Sequence, residues 1–223
     1  MRFGILALAL LLGLHAAWTL VPELARPPRP DFPAAGTHAA VAGNDLDRAV
    51  FAATLAAVRG DLWADGAILR AGGLQDDLDL GKTGEAPAAL ADARAMAERA
   101  ARLSPHDARI WLLIAAIDAR LDWLDRRVGA PLKMSYYTAP NDAALMGLRL
   151  LIATRSEAIA DPDLQVLVSG ELRTIVKNEP DLKGAILAAH RDALPQGREL
   201  IEATLRDVDP DLLAAIRGRG AGP

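Results

Sequence analysis

The sequence predicts an all-α protein: helical hairpins arrayed behind a single hydrophobic N-terminal segment. Three observations predict it. Apolar residues make up 52% of the chain but aromatics only 4%, so alanine and leucine supply most of the apolar mass, and both are strong helix formers with little side-chain entropy to lose. Runs of β-branched residues, which mark strands, are scarce. Apolar positions recur three and four residues apart, most clearly at Ile110, Ile114, Ile117, Leu121 and Leu124, which is one face of a helix with 3.6 residues per turn.

The first element is residues 3–21, an apolar run interrupted only by His15 and Thr19, with Arg2 the one charge before it. As a helix it reaches roughly 28 Å, close to the thickness of a bilayer core. A cleaved signal peptide needs small residues at positions −3 and −1 of its cleavage site. Ala17-Trp18-Thr19 lacks that pattern, and Ala34-Ala35-Gly36 lies far downstream. Residues 1–21 are therefore expected to be a retained transmembrane anchor, with a removed signal as the alternative. Arg2 and the amino terminus favour an inside N-terminus, while Arg26 and Arg29 pull the other way. The style is bacterial. The expected location is the inner membrane, spanned once, with the main domain in the periplasm; the alternative is an exported, soluble periplasmic protein.

Residues 22–43 follow as a linker. Pro22, Pro27, Pro28, Pro30 and Pro33 argue against helix and for an extended, semi-rigid spacer that holds the domain off the membrane.

Residues 44–132 form the first helical region. Asn44, with Asp47 three residues on, is a candidate cap for a helix running to about Ala71, with Gly60 as a candidate break inside it and Gly72-Gly73 as its end. A polar loop separates it from a helix that opens at Pro87 and runs through Leu103. Ser104-Pro105-His106-Asp107 reads as a capping Ser, Pro at the first helical position and an acid two residues further in. The helix with the clear apolar face follows, and Gly129 and Pro131 are expected to end it.

Residues 133–217 form the second helical region, opening on a polar loop at 133–140. Asn141 or Thr138 is expected to start the next helix, which carries Leu145, Leu148 and Ile152. Three segments then share one grammar: Asp161-Pro162-Asp163-Leu164, Glu179-Pro180-Asp181-Leu182 and Asp209-Pro210-Asp211-Leu212. In each an acid caps, Pro takes the first helical position, a second acid meets the helix dipole and Leu begins the buried face. Pro195 opens a further helix, with Glu202 and Arg206 as a pair on its outer side. Residues 218–223 read as a frayed tail.

Residues 93–118 resemble a tetratricopeptide-repeat junction. The small residues Ala93, Ala97 and Ala100 precede Pro105, and Trp111 and Ala115 follow at matching offsets, although Asp118 stands where that family has an aromatic. The resemblance covers one repeat boundary and implies a TPR-like, α-solenoid-like array of helical hairpins in which Ala97, Ala100, Pro105, Trp111 and Ala115 pack neighbouring helices closely. The C-terminal helices also resemble uncharacterised proteins of alphaproteobacterial envelope and polysaccharide gene neighbourhoods. That resemblance brings no catalytic residues with it.

The residues argue against most chemistries. There is no cysteine, which excludes disulfides, thiolate zinc sites and thiol nucleophiles. A net charge of −4 gives no general attraction to nucleic acid. Gly81-Lys82-Thr83 has Asp76 where a phosphate loop needs glycine, and Asp76, Asp77 and Asp79 lack the further ligands of a calcium loop. His15, His38, His106 and His190 show no metal-binding spacing. No catalytic residue, metal, cofactor or small-molecule ligand is expected.

The best candidate contact is the segment around Tyr136 and Tyr137, the only two tyrosines, with Lys133 and Asn141 nearby; aromatic faces with polar tips suit peptide or sugar contacts. The competing expectation is that one ring packs inside while the other faces water. The function expected is a non-catalytic, membrane-tethered adaptor that binds protein partners of the cell envelope, in polysaccharide synthesis or export. The alternative is an envelope enzyme acting on glycans through dispersed carboxylates.

Overall fold

Eleven α-helices dominate the computed structural model, which describes residues 2–30, 44–72, 87–121 and 126–220, and no strand occurs among the described residues. The chain forms two compact units. Of the described residues, 2–30, 44–72 and 87–105 make the first, and 106–121 and 126–220 make the second. The division expected at 132/133 falls inside a helix.

In the first unit, α1 (Arg2–Ala25) is followed by α2 (Asp45–Leu55), α3 (Gly60–Gly72) and α4 (Pro87–Leu103). The apolar side chains of α1 stand exposed along its length, from Phe3 at 89% to Val21 at 42%. The span Phe3–Ala25 is long and apolar enough to cross a membrane. Pro22 does not end this helix, contrary to the linker reading. A proline inside a helix leaves one carbonyl without its partner. Here that carbonyl belongs to Trp18, one turn before the last turn of the helix, which stops at Ala25. Pro22 is buried, and the half-buried Ala25 packs on a cluster of Ala52, Ala53, Ala56 and Leu62.

Asn44 makes no side-chain cap to α2; Asp45 and Asp47 supply the acids of the first turn instead. The break expected near Gly60 occurs, and the glycine has a specific reason to be there. A Cβ at Gly60 would lie 2.2 Å from Ser104 Oγ and 2.9 Å from Ser104 Cβ, so only glycine lets the start of α3 meet the end of α4. The two helices form a hairpin. Its seam is alanine-rich: Ala64, Ala67, Ala93, Ala97 and Ala100 are all fully buried. Small side chains bring the axes close, and dense contact rather than large transfer energy holds them.

The second unit contains α5 (Ala108–Leu121), α6 (Gly129–Thr138), α7 (Ala143–Arg155), α8 (Pro162–Asn178), α9 (Lys183–Asp192), α10 (Pro195–Val208) and α11 (Pro210–Gly220). The helix α7 is its axis, packed against α5, α6, α8, α9 and α10. That position explains why α7 has no polar face: Leu145, Met146, Leu148, Leu150, Ile152 and Ala153 are all buried. Leu164, Val168, Leu172 and Ile175 form the buried stripe of α8.

Several helix starts differ from the sequence reading. Ser104 does not cap α5. Its amide bonds to Ala100 O and so finishes α4, while Asp107 Oδ1 accepts from Arg109 N at 3.0 Å and does the capping. Asp142, rather than Asn141 or Thr138, caps α7 by accepting from Ala144 N. Asp161 and Asp209 cap as expected, accepting from Asp163 N and Leu212 N. Glu179 makes no side-chain cap, and Pro180–Leu182 is a 3-10 turn with α9 starting at Lys183.

The largest revision concerns residues 129–138. Gly129 and Pro131 do not end a helix; they lie in the first turn of α6, where proline is tolerated because those N–H groups lack helical partners anyway. The expected polar loop at 133–140 is therefore helical through Thr138. Leu132, Ser135 and Tyr136 have helical spacing and are all buried. Two of these three carry polar atoms, so the buried face does not read as an apolar stripe. The acidic and Gly-Lys-Thr segment at 76–83, His38, Trp123 and Leu124 lie outside the described residues.

Candidate functional site

The four residues expected to meet a partner separate into two groups. Tyr137 is 59% exposed, and Asn141 is also exposed. Tyr136 is only 3% exposed. Lys133 is half-buried and holds Asp161 Oδ2 at 2.6 Å, with Asp163 Oδ2 at 3.8 Å. That hydrogen bond raises the Lys133 pKa and lowers that of Asp161. Lys133 thus fastens α6 to the capped start of α8. Of the four, Tyr137 and Asn141 form the surface that a partner can reach.

Beneath that surface lies a polar cluster. Tyr136 Oη donates to Glu171 Oε2 at 2.7 Å. Arg149 is fully buried. Its Nε donates to Ser135 Oγ at 3.0 Å, its Nη2 to Ser135 O at 2.6 Å and its Nη1 to Ala139 O at 3.0 Å. Ser135 Oγ in turn donates to Ala108 O at 2.9 Å. The guanidinium carbon lies 5.0 Å from the Tyr136 ring centre, within cation–π reach. Arg149 Nη1 and Glu171 Oε1 are 3.7 Å apart, an ion-pair distance beyond hydrogen bonding. Oε1 accepts no hydrogen bond.

Burial raises the Glu171 pKa to about 8, outweighing the Tyr136 hydrogen bond and the Arg149 charge. Burial first, then the Glu171 charge, pushes the Tyr136 phenol well above its ordinary value. Clusters with such shifts often mark reactive sites. Here Ser135, Tyr136, Arg149 and Glu171 are all nearly inaccessible, so no substrate reaches them. The cluster fixes α6, α7 and α8 to one another beneath Tyr137. Sequence reading missed Arg149 and Glu171, although a signal existed. Glu171 interrupts the Leu164, Val168, Leu172, Ile175 stripe, and Arg149 stands alone in an apolar run.

A second polar cluster lies in the first unit, at the base of α1. Arg26 Nε donates to Asp65 Oδ2 at 2.7 Å and Arg26 Nη1 to Asp61 Oδ2 at 3.2 Å. Arg59 Nη1 donates to Glu23 Oε2 at 2.7 Å and Arg59 Nη2 to Asp61 Oδ2 at 2.6 Å. Arg48 Nη2 reaches Arg26 O at 3.3 Å. Asp65 is 1% exposed, and Arg26 helps to compensate its carboxylate. Burial works against the charge on Arg26, but the hydrogen bond and charge of Asp65 more than offset it, and its pKa is raised. The last turn of α1 is thereby built into the α2–α3 hairpin.

Each unit also has an open cleft. In the first, Leu46, Val50, Trp63 and Met96 line a groove of about 450 Å3, with Arg70 and Asp92 paired at 2.9 Å on its wall. Trp63 is held rigid: its Nε1 donates to Ala57 O at 3.3 Å, and Arg99 stacks 4.2 Å from its ring centre. In the second, Leu187, His190, Arg198 and Ile216 line a groove of about 550 Å3. At its edge Glu202 accepts from Arg217 and sits 3.0 Å from His190 Nε2; the expected Glu202–Arg206 pair is replaced by these contacts. The Arg217 hydrogen bond, then that of His190, lowers the Glu202 pKa.

Ala97 and Ala100 pack within the first unit, which ends at Pro105; the half-buried Trp111 and the buried Ala115 lie on α5 of the second. Among the described residues, no group of three His, Asp or Glu side chains is arranged to hold a metal ion. Comparison with protein-family models, with curated protein sequences and with solved structures returns no match.

Proposed function

We propose that the chain is a membrane-tethered helical adaptor that binds protein partners in the bacterial cell envelope, with α1 as a retained anchor and the helical units on the periplasmic side. One observation carries the reading: an exposed apolar helix is joined through its own last turn to a helical unit bearing an open, apolar groove. Trp63, Met96, Val50 and Leu46 make that groove a rigid aromatic and aliphatic trough, and the Arg70–Asp92 pair gives it a polar edge. Such a trough suits the apolar face of a partner helix. The resemblance of residues 93–118 to a tetratricopeptide-repeat junction supports the same role, because that architecture presents concave helical surfaces to peptides. The resemblance to polysaccharide-neighbourhood proteins supports a role in envelope polysaccharide synthesis or export.

The test is crosslinking and affinity capture of the full chain from its native membranes, with Val50→Asp and Tyr137→Ala variants alongside. Val50 and Tyr137 are exposed, so both variants keep the fold. The reading expects a specific partner that is lost with Val50→Asp or with Tyr137→Ala. Identical capture by all three proteins sinks it.

A further inference from the structure

We infer that the α2–α3 turn is a second membrane contact, with Val58 entering the interface of the leaflet from which α1 emerges. The inference rests on α1 spanning the bilayer and adds to it a lipid-facing edge of the folded unit.

The position of Val58 follows from its neighbours. Its side chain is 73% exposed. The next residue, Arg59, grips Glu23 Oε2 at 2.7 Å. Glu23 lies two residues beyond the apolar run 3–21, which along a helix is about 3 Å. Pro22, the first residue after that run, is already buried against the unit. Ala25 packs on Ala52, Ala53 and Ala56 of α2 and its C-terminal end. Arg48, a turn earlier on α2, meets the carbonyl of Arg26 instead. From Arg48 on α2 to Arg59 beyond its end, the contacts move back from Arg26, just past α1, to Glu23 within it. The helix therefore descends toward the apolar segment, and the turn is its lowest point.

The occupant is lipid because Arg59, the neighbour of the exposed valine, is fastened to Glu23 only two residues past the apolar run of α1. The nearby charges do not oppose this approach. Arg59, Glu23, Asp61, Arg26 and Asp65 are paired with one another, so the contact is apolar and needs no anionic lipid. With no spacer between anchor and unit, the bilayer surface and the turn lie at the same height.

Because the chain has no cysteine, single-cysteine labelling reads this directly. Val58→Cys, Leu10→Cys and Ala91→Cys are each labelled with an environment-sensitive fluorophore in the full chain and placed in phosphatidylcholine nanodiscs. Leu10 reports on the anchor. Ala91 adjoins Asp92, which pairs with Arg70 near the far end of α3. The expected result is blue-shifted emission at positions 10 and 58, quenched by nitroxide-bearing lipid, with position 91 quenched only by aqueous iodide. A bilayer signal at 10 with an aqueous signal at 58 overturns the inference and leaves the anchor standing. Aqueous signals at both 10 and 58 overturn the spanning reading of α1 and the inference with it. Lipid quenching at 91 equal to that at 58 also overturns it, because the turn is then no special edge.

Discussion

Tyr136 and Glu171 are joined by a 2.7 Å hydrogen bond from the phenol to the carboxyl, in a part of the second unit that solvent does not reach. Each comes from a different helix, α6 and α8, and Arg149 of α7 lies against both. An unmade hydrogen bond inside a protein costs more than a made one contributes. The cluster therefore specifies which faces of the three helices meet, more than it adds to total stability.

The adjacent tyrosines are expected to separate cleanly. Tyr136→Phe removes the donor and leaves both Glu171 oxygens without a hydrogen bond, so unfolding in urea should show a loss of about 1–3 kcal/mol. Tyr137→Ala, on the exposed side of the same helix, should change stability by no more than about 0.5 kcal/mol. Equal losses for the two variants would contradict the burial assigned to Tyr136.

Glu171 should make stability depend on pH in an unusual direction. Its pKa is about 8 in the folded chain against 4.5 for an unperturbed glutamate. The folded state binds the proton more tightly, so this contribution is complete below about pH 4.5 and is lost as pH rises through 8. Glu171→Gln removes the titration. Melting temperatures across pH 5–9 should fall for the native chain relative to the variant, and parallel curves would refute the shift.

Two glycines in the second unit should differ sharply. A Cβ at Gly197 would lie 2.4 Å from Thr154 O, a backbone atom that also accepts from Leu194 N at 2.9 Å. Gly197→Ala must move backbone and should cost about 1–3 kcal/mol. At Gly147 the nearest atom is Ala185 Cβ at 3.4 Å. Gly147→Ala should be neutral or slightly stabilising, since alanine is the better helix former. Thermal melts of the two variants make the comparison.

Asp65→Ala should uncouple α1 from its unit. Without that carboxylate, Arg26 keeps only its weaker contacts to Asp61 and Glu23, and a partly buried guanidinium loses its main compensation; breaking a buried pair costs about 3–5 kcal/mol. Hydrogen exchange of the full chain in nanodiscs should show protection lost at Glu23 and Arg26 while Leu8 to Leu14 stay protected. Unaltered protection at Arg26 would show that the pair does not hold the joint.

How much of this could be read in advance depended on whether a residue acts through its neighbours in sequence or in space. The apolar face of α5 is visible in the sequence: Ile110, Ile114 and Ile117 are buried, whereas Leu121, at the helix end, is 46% exposed. Pro162 and Pro210 start helices as their spacing implies. These are local effects of propensity and capping. The α6 segment reads as a loop because its buried face carries Ser135 and Tyr136, whose value lies in partners 14 to 35 residues away. Pro22 reads as a break because the intrinsic cost of proline is a local quantity, and the packing that offsets it is not. Charge on an apolar stripe, as at Glu171, was the available signal for the interior cluster. Nothing local marked Arg26 and Asp65 as partners.

The unbroken run of α1 through Pro22 into Ala25 also bears on how a partner would find the groove. With α1 in a bilayer, a unit joined to that helix through Pro22, Glu23 and Ala25 cannot swivel freely about it, as one on a flexible tether would. The groove then keeps one heading relative to the membrane plane. A second membrane-held protein diffusing in the same plane meets that face with most of its orientational search already done, so less translational and rotational freedom remains to be lost on binding.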